Sequence, residues 1–188
     1  VRRELKEVVV KPAGQPEQRF DRVFMATHAD QSLAMLGQQA TPKERQVLSS
    51  IPYQSNEVLL HTDASLMPRE RRAWASWNYH IGHGHARTRA QTAIVTYHMN
   101  RLQGLDTDQD FFVSLNASEQ IDPARVIKHL HYEHPVFTPQ GVSMQSQQAT
   151  LNSGPILYCG AYWGKGFHED GMVSAKAAIG HMEAQSDA

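Results

Sequence analysis

Cysteine is nearly absent: Cys159 is the one thiol in 188 residues. That excludes an internal disulfide framework and a cysteine-rich zinc site, and a reducing cytoplasm is the simplest expectation for the compartment. Long apolar runs are missing too, and nothing approaches the roughly 20 residues a membrane-spanning helix needs. The opening Val1-Arg2-Arg3-Glu4-Leu5-Lys6 is charged and lacks the apolar segment of a signal peptide. Its start at Val rather than Met is what a processed, trimmed or partial chain would show. Charge of one sign is also lacking, with 18 Lys and Arg against 19 Asp and Glu. Nucleic-acid binders carry a clear basic excess, so no such partner is expected.

What is present suits one globular domain or two small lobes sharing a core. Hydrophobic residues make up 40% of the chain, enough to place it far from the disordered class. Val8-Val9-Val10, the punctuation Pro12-Ala13-Gly14-Gln15-Pro16 and the run Phe20 to Ala26 read as a β-hairpin. A short helix around Leu33 and Leu36 ends at Gly37. Thr41-Pro42-Lys43-Glu44 supplies N-cap, first-turn Pro and third-position Glu, so a helix should run through Leu48 and stop before Pro52. Residues 56–62, 73–79, 92–99, 111–116 and 125–134 read as strands, with polar or Gly-rich connections, in a plausible antiparallel sheet. Residues 138–151 are helix-compatible, though Gly141 and a Gln-rich patch at 145–148 weaken the pattern. Ile156 to Cys159 is a short apolar strand, and the last helix should begin near Asp170 or Gly171.

The sharpest signal is that terminal strand, Gly-rich turn and helix. Free N–H groups at a helix N-terminus suit anionic or acceptor atoms. Gly160, Gly164 and Gly166 would let backbone approach a ligand closely, and Tyr162 and Trp163 offer flat faces for a planar ring. The segment from Ile156 to Gly171 resembles the C-terminal flavin-binding motif of the amine oxidase and phytoene desaturase superfamily. More closely it is similar to a bacterial group of predicted NAD/FAD-binding amine oxidoreductases. Residues 20–31, 73–79 and 96–103 resemble further stretches of that group in the same order. The resemblance implies that Gly160 matches the strand-end Gly, and that Asp170, Gly171 and Met172 open the helix near the flavin ring. The small pair Ser174-Ala175 resembles the superfamily's Ser-Gly. Gly160, Ala161, Trp163, Gly166, Asp170, Gly171 and Met172 are therefore the expected FAD contacts, through backbone more than side chains, and no catalytic acid or base is nominated.

Two departures accompany the resemblance. The acidic residue expected after the strand-end Gly is Ala161. No Gly-x-Gly-x-x-Gly follows an opening strand anywhere, so the pyrophosphate cradle is absent, and this chain alone should bind FAD weakly or not at all. The implied fold is α/β to α+β, with residues 1–30 and 154–188 as a partial FAD-binding lobe and 31–153 as a sheet-containing substrate lobe. The implied reaction passes a hydride from a C–N or C–C bond of a small-molecule substrate to flavin. The missing N-terminal FAD-binding portion is the implied partner, and a non-catalytic fragment or binding module stays open.

Eleven histidines raise a metal-dependent hydrolase as the enzyme alternative. His80, His83 and His85 form one cluster, and His129, His131 and His134 another. On a strand His129 and His131 would share a face, a geometry a metal could use. Without a Cys pair or an H-E-x-x-H helix, exposed loop-borne histidines are the favoured reading and no metal ligand is assigned. Cys159, ending an apolar strand, reads as an inert buried thiol. His28 and His168 lie in segments resembling cofactor-facing turns, where proton handling and a structural hydrogen bond stand side by side. Trp77 and Tyr79 share one strand face and Trp74 the other; sheet core is favoured over a substrate cavity. Arg69-Glu70-Arg71-Arg72 reads as a solvated turn.

Overall fold

Ten strands and six helices form among the described residues of a computed structural model, which are 1–4, 7–80 and 94–186. The chain opens with β1 (Arg2–Arg3), β2 (Val8–Val10), β3 (Gln18–Phe20), β4 (Val23–Met25), α1 (Ala29–Leu36) and α2 (Pro42–Leu48). It continues through β5 (Tyr53–His61), β6 (Trp77–His80), β7 (Ile94–His98), α3 (Met99–Gln103), β8 (Phe112–Leu115) and β9 (Val126–Pro135). It closes with α4 (Pro139–Met144), α5 (Gln148–Leu151), β10 (Ile156–Tyr158) and α6 (His168–Ser186). The class is mixed α/β of the α+β kind, as the sequence leads one to expect. His83 and His85 lie outside the described residues.

The chain divides into two compact units, Val1–Gln54 with Pro135–Ala188, and Ser55–His134. The sequence reading instead divides it after residues 30 and 153. Residues 31–54 and 135–153 join the first unit because Leu36, Val47, Leu48 and Leu151 bury in one cluster with Met25, Ile156 and Tyr158. That shared burial is what a sequence pattern does not display.

In the first unit β1, β2 and β3 form an antiparallel sheet, with Val8 opposite Phe20 and Val10 opposite Gln18. The strand expected over 20–26 is broken at Asp21 and Arg22. Its second half, β4, pairs in parallel with β10, placing Val23, Phe24 and Met25 opposite Ile156, Leu157 and Tyr158. The capping box of α2 forms as its spacing predicts: Glu44 N–H donates to Thr41 Oγ1 at 3.2 Å and Thr41 N–H to Glu44 Oε2 at 2.8 Å. The other carboxylate oxygen accepts from Arg3 and from the Tyr158 hydroxyl. A buried acid is tolerable when its acceptors are filled this way.

The second unit is built on a sheet of order β6-β7-β8-β5-β9, to which β5 and β9 each contribute all but the residues beyond the unit's ends. Adjacent pairs β6–β7, β7–β8 and β8–β5 are antiparallel. Leu59 packs with Leu66, Ala117 and Ile121. On the same sheet a polar chain is fully enclosed: Asp63 N–H donates to His61 Nδ1 at 3.2 Å, and His61 Nε2 meets Ser114 Oγ at 2.8 Å. Ser114 Oγ in turn lies 2.7 Å from Thr96 Oγ1. The backbone donor fixes Nδ1 as an acceptor, so Nε2 carries the proton and donates to Ser114. Burial lowers the His61 pKa. Trp74 lies outside the strand expected for it, after a tight turn at Arg71–Ala73.

Candidate functional site

The terminal turn is assembled from four kinds of contact. Strand β10 delivers Cys159, whose N–H donates to Met25 O at 3.2 Å. Gly160 then adopts φ 154°. A Cβ there would stand 2.6 Å from Tyr162 Cε1, so only glycine fits. The Gly160 N–H donates to Ser174 Oγ at 2.8 Å, and that hydroxyl donates to Gly171 O at 2.8 Å, tying the turn to the first coils of α6.

Asp170 makes the second contact. Its Oδ2 accepts from Phe167 N–H at 2.8 Å and Lys165 N–H at 3.0 Å. Helix α6 thus starts at His168, two residues before the sequence suggests, because an acid in the first turn closes the loop onto itself. These two donors are occupied by the chain's own carboxylate.

The glycines are likewise filled from within. A Cβ on Gly164 would strike the Asp170 side chain at 2.3 Å, and one on Gly166 would sit 3.2 Å from the Phe137 ring. Neighbouring side chains thus stand beside both glycines.

The third contact was not legible as function in the sequence. The Gln-rich patch expected only as a weak helix supplies a row of amides. Gln145 Nε2 donates to the carbonyls of Tyr162 at 3.0 Å and Gly164 at 2.5 Å. Gln148 Nε2 donates to Ser174 O at 3.1 Å and reaches Tyr158 O at 3.3 Å. Asn152, fully buried, donates to Tyr158 O at 3.1 Å and accepts its N–H at 2.7 Å. Spacings of three and four residues bring such side chains to one helical face.

Aromatic packing is the fourth. Tyr162 and Trp163 are core residues, their rings 5.2 Å apart. Among the described residues, the Tyr162 hydroxyl and Trp163 Nε1 are buried without a hydrogen-bond partner. Burial raises the Tyr162 pKa strongly, keeping it neutral. Outward from the turn, Phe167, Met172 and Val173 are 55%, 60% and 56% exposed. Of the seven expected contacts, Gly160, Ala161, Gly166, Asp170 and Gly171 line this turn, Met172 faces solvent and Trp163 lies within the core.

The remaining candidates resolve as follows. Cys159 is buried and burial raises its thiol pKa, as an inert thiol requires. His28 stacks on Tyr53 at 4.4 Å, and its Nδ1 is buried without a partner among the described residues. Trp77 and Tyr79 are exposed rather than core, on the face of β6 opposite Asn78. Arg71, read as part of a solvated turn, pairs with Asp110 at 2.9 Å and lies 4.7 Å over Trp74. His98 Nε2 joins the same carboxylate at 3.0 Å beside a cavity of about 380 Å³. His129 and His131 stand on β9 and not on a loop, their rings 4.9 Å apart, with His129 Nε2 2.8 Å from Glu57 Oε1.

No family model matches this chain, and no curated protein matches it. Among solved structures it is similar to the crystal structure of a "Putative protoporphyrinogen oxidase" from Exiguobacterium sp. 255-15. The likeness has a TM-score of 0.56 at 12% identity, over 97% of this chain and 45% of that one. The chain therefore spans less than half the length of a structure whose fold it shares.

Proposed function

We propose that this chain is the C-terminal part of an FAD-dependent oxidoreductase of the amine oxidase type, in which the β10–α6 turn forms one wall of the flavin site. The observation that carries this reading is the turn itself: a strand parallel to β4, a glycine that admits no side chain, and a helix starting within ten residues, in a fold shared with an oxidase-named structure. On this reading the first unit is part of the FAD-binding lobe and the second is the substrate lobe.

The residues fit a flavin in part. A Cβ on Gly171 would stand in ordinary contact with the Ala161 nitrogen, at 3.8 Å, and Met172 and Phe167 each offer exposed apolar surface. Gly160, Gly166 and Asp170 shape that wall, and Trp163 backs it from the core. A bound flavin would supply the hydride acceptor; this chain's task is to place the ring and exclude water. The absent Gly-x-Gly-x-x-Gly leaves the pyrophosphate without its cradle, so affinity for FAD should be low.

The test is a titration of the protein with riboflavin and with FAD, followed through the methionine methyl resonances, with Met172→Leu to assign its signal. A shift at Met172 for both ligands, at high ligand concentration, is expected. No shift at Met172, or shifts confined to methionines of the second unit such as Met67, overturns the reading. Flavin retained through desalting would refute the need for the missing fingerprint.

A further inference from the structure

We propose that Glu57, His129 and His131 form a binding site for a borderline divalent metal ion, of which zinc is the representative. The three ligand atoms, one per residue, all lie within 4.8 Å of one another. They come from β5 and β9, which are neighbours in the sheet of the second unit. Residues two apart on a strand share a face, so β9 presents both imidazoles together, and the adjacent strand adds the carboxylate.

An ion pair between His129 and Glu57 accounts for two of the three. His131 stands exposed beside that pair: its ring lies 4.9 Å from His129 at 35°, and among the described residues no side chain claims it. A metal accounts for all three at once. Two imidazole nitrogens and one carboxylate oxygen are a ligand set that zinc accepts, leaving a fourth position for water. Calcium and magnesium prefer all-oxygen shells, so the nitrogens select zinc, copper, nickel or cobalt.

The geometry requires a small adjustment. Metal–ligand bonds of about 2.0–2.1 Å in a tetrahedron place ligand atoms about 3.3–3.5 Å apart. The His129–Glu57 pair, 2.8 Å apart, must therefore open to that spacing, and His131, within 4.8 Å, must close on it by about 1 Å. They can do so without disturbing the core, because the side chains of His129 and Glu57 are 48% and 26% exposed. The backbone beneath is held in place. Glu57 N–H donates to Asn116 Oδ1 at 3.2 Å and Asn116 N–H to Glu57 O at 2.9 Å, with Asn116 in the left-handed conformation at φ 56°. Such support fixes where Glu57 stands on β5 and leaves its side chain to adjust. This site is independent of the flavin reading.

The test uses the chelator-treated 188-residue chain titrated with Zn²⁺ by calorimetry and with Co²⁺ by visible absorption. One ion per chain is expected, with affinity falling at least ten-fold in His131→Ala and in Glu57→Gln, and binding lost in the double variant His129→Ala/His131→Ala. The triple variant His80→Ala/His83→Ala/His85→Ala should retain the ion. No binding, or binding unchanged in the double variant, overturns the proposal. Thermal melts of the metal-free variants check folding. If the double variant does not fold, X-ray absorption of the zinc-loaded triple variant decides: two imidazoles in the shell support the site, and fewer overturn it.

Discussion

The carboxylate of Asp170 accepts the Phe167 N–H at 2.8 Å and the Lys165 N–H at 3.0 Å. It is the acid at the start of α6 and at the same time the group that closes the turn before it. Replacing it by Ala leaves two donors at the helix start without their partner. Loss of an N-terminal cap is worth about 0.5–2 kcal/mol, and Asp170→Ala should destabilise by that amount. Asp170→Asn, which keeps one acceptor oxygen, should lose less. Urea denaturation of both variants reads the difference, and equal losses would contradict the capping role.

Gly160→Ala should be far more damaging. Its Cβ would lie 2.6 Å from the Tyr162 ring at φ 154°. Overpacking and a backbone conformation disfavoured for L residues together cost roughly 2–4 kcal/mol. The expected result is a sharply lowered melting temperature or loss of soluble protein. Gly154→Ala, where no atom lies within 4 Å of the added Cβ, serves as the control and should melt within a few degrees of the parent.

Asn152 links α5 to β10 by two hydrogen bonds to the backbone of Tyr158, and it is fully buried. Asn152→Leu keeps the size but leaves the buried Tyr158 N–H without its acceptor and the Tyr158 carbonyl with Gln148 alone. An unsatisfied buried group costs about 1–3 kcal/mol, and a destabilisation of that size is expected in chemical denaturation. A neutral Asn152→Leu would show that the amide row does not hold the turn.

His61 gives a pH dependence with a definite sign. Burial lowers its folded pKa, and protonating Nδ1 would set a proton against the Asp63 N–H. Above the unfolded value of about 6.5 its contribution is fully present. As pH falls below that value the unfolded chain takes up a proton that the folded chain refuses, so stability declines toward the lower folded pKa, by at most about 1.4 kcal/mol per pH unit. The stability difference between wild type and His61→Gln, measured from about pH 8 to about pH 5, should shrink on acidification. A difference independent of pH would rule out this linkage.

Several elements were readable in the residues themselves. Thr41, Pro42 and Glu44 announce α2 because a capping box is a local contract among four consecutive positions, and its two hydrogen bonds are present. The positions of β5, β8, β9 and β10 follow from short β-branched or apolar runs bounded by turns. The strand read over 20–26 failed where two sheets compete for one segment: β3 answers to β2 and β4 to β10, and the competition is non-local.

The candidate site divides the same way. The sequence by itself determined that a strand, a glycine-rich turn and a helix would follow one another, since propensity and spacing act within a few residues. Only the tertiary structure decided what stands beside the glycines: Tyr162, Asp170 and Phe137 lie next to Gly160, Gly164 and Gly166. Only it showed that Gln145, Gln148 and Asn152 pin that turn, and that Glu57 stands beside His129 across two strands 72 residues apart in sequence (129 − 57). Composition fixes which groups are available, but side-chain packing and strand pairing choose their neighbours, and those choices belong to residues distant along the chain.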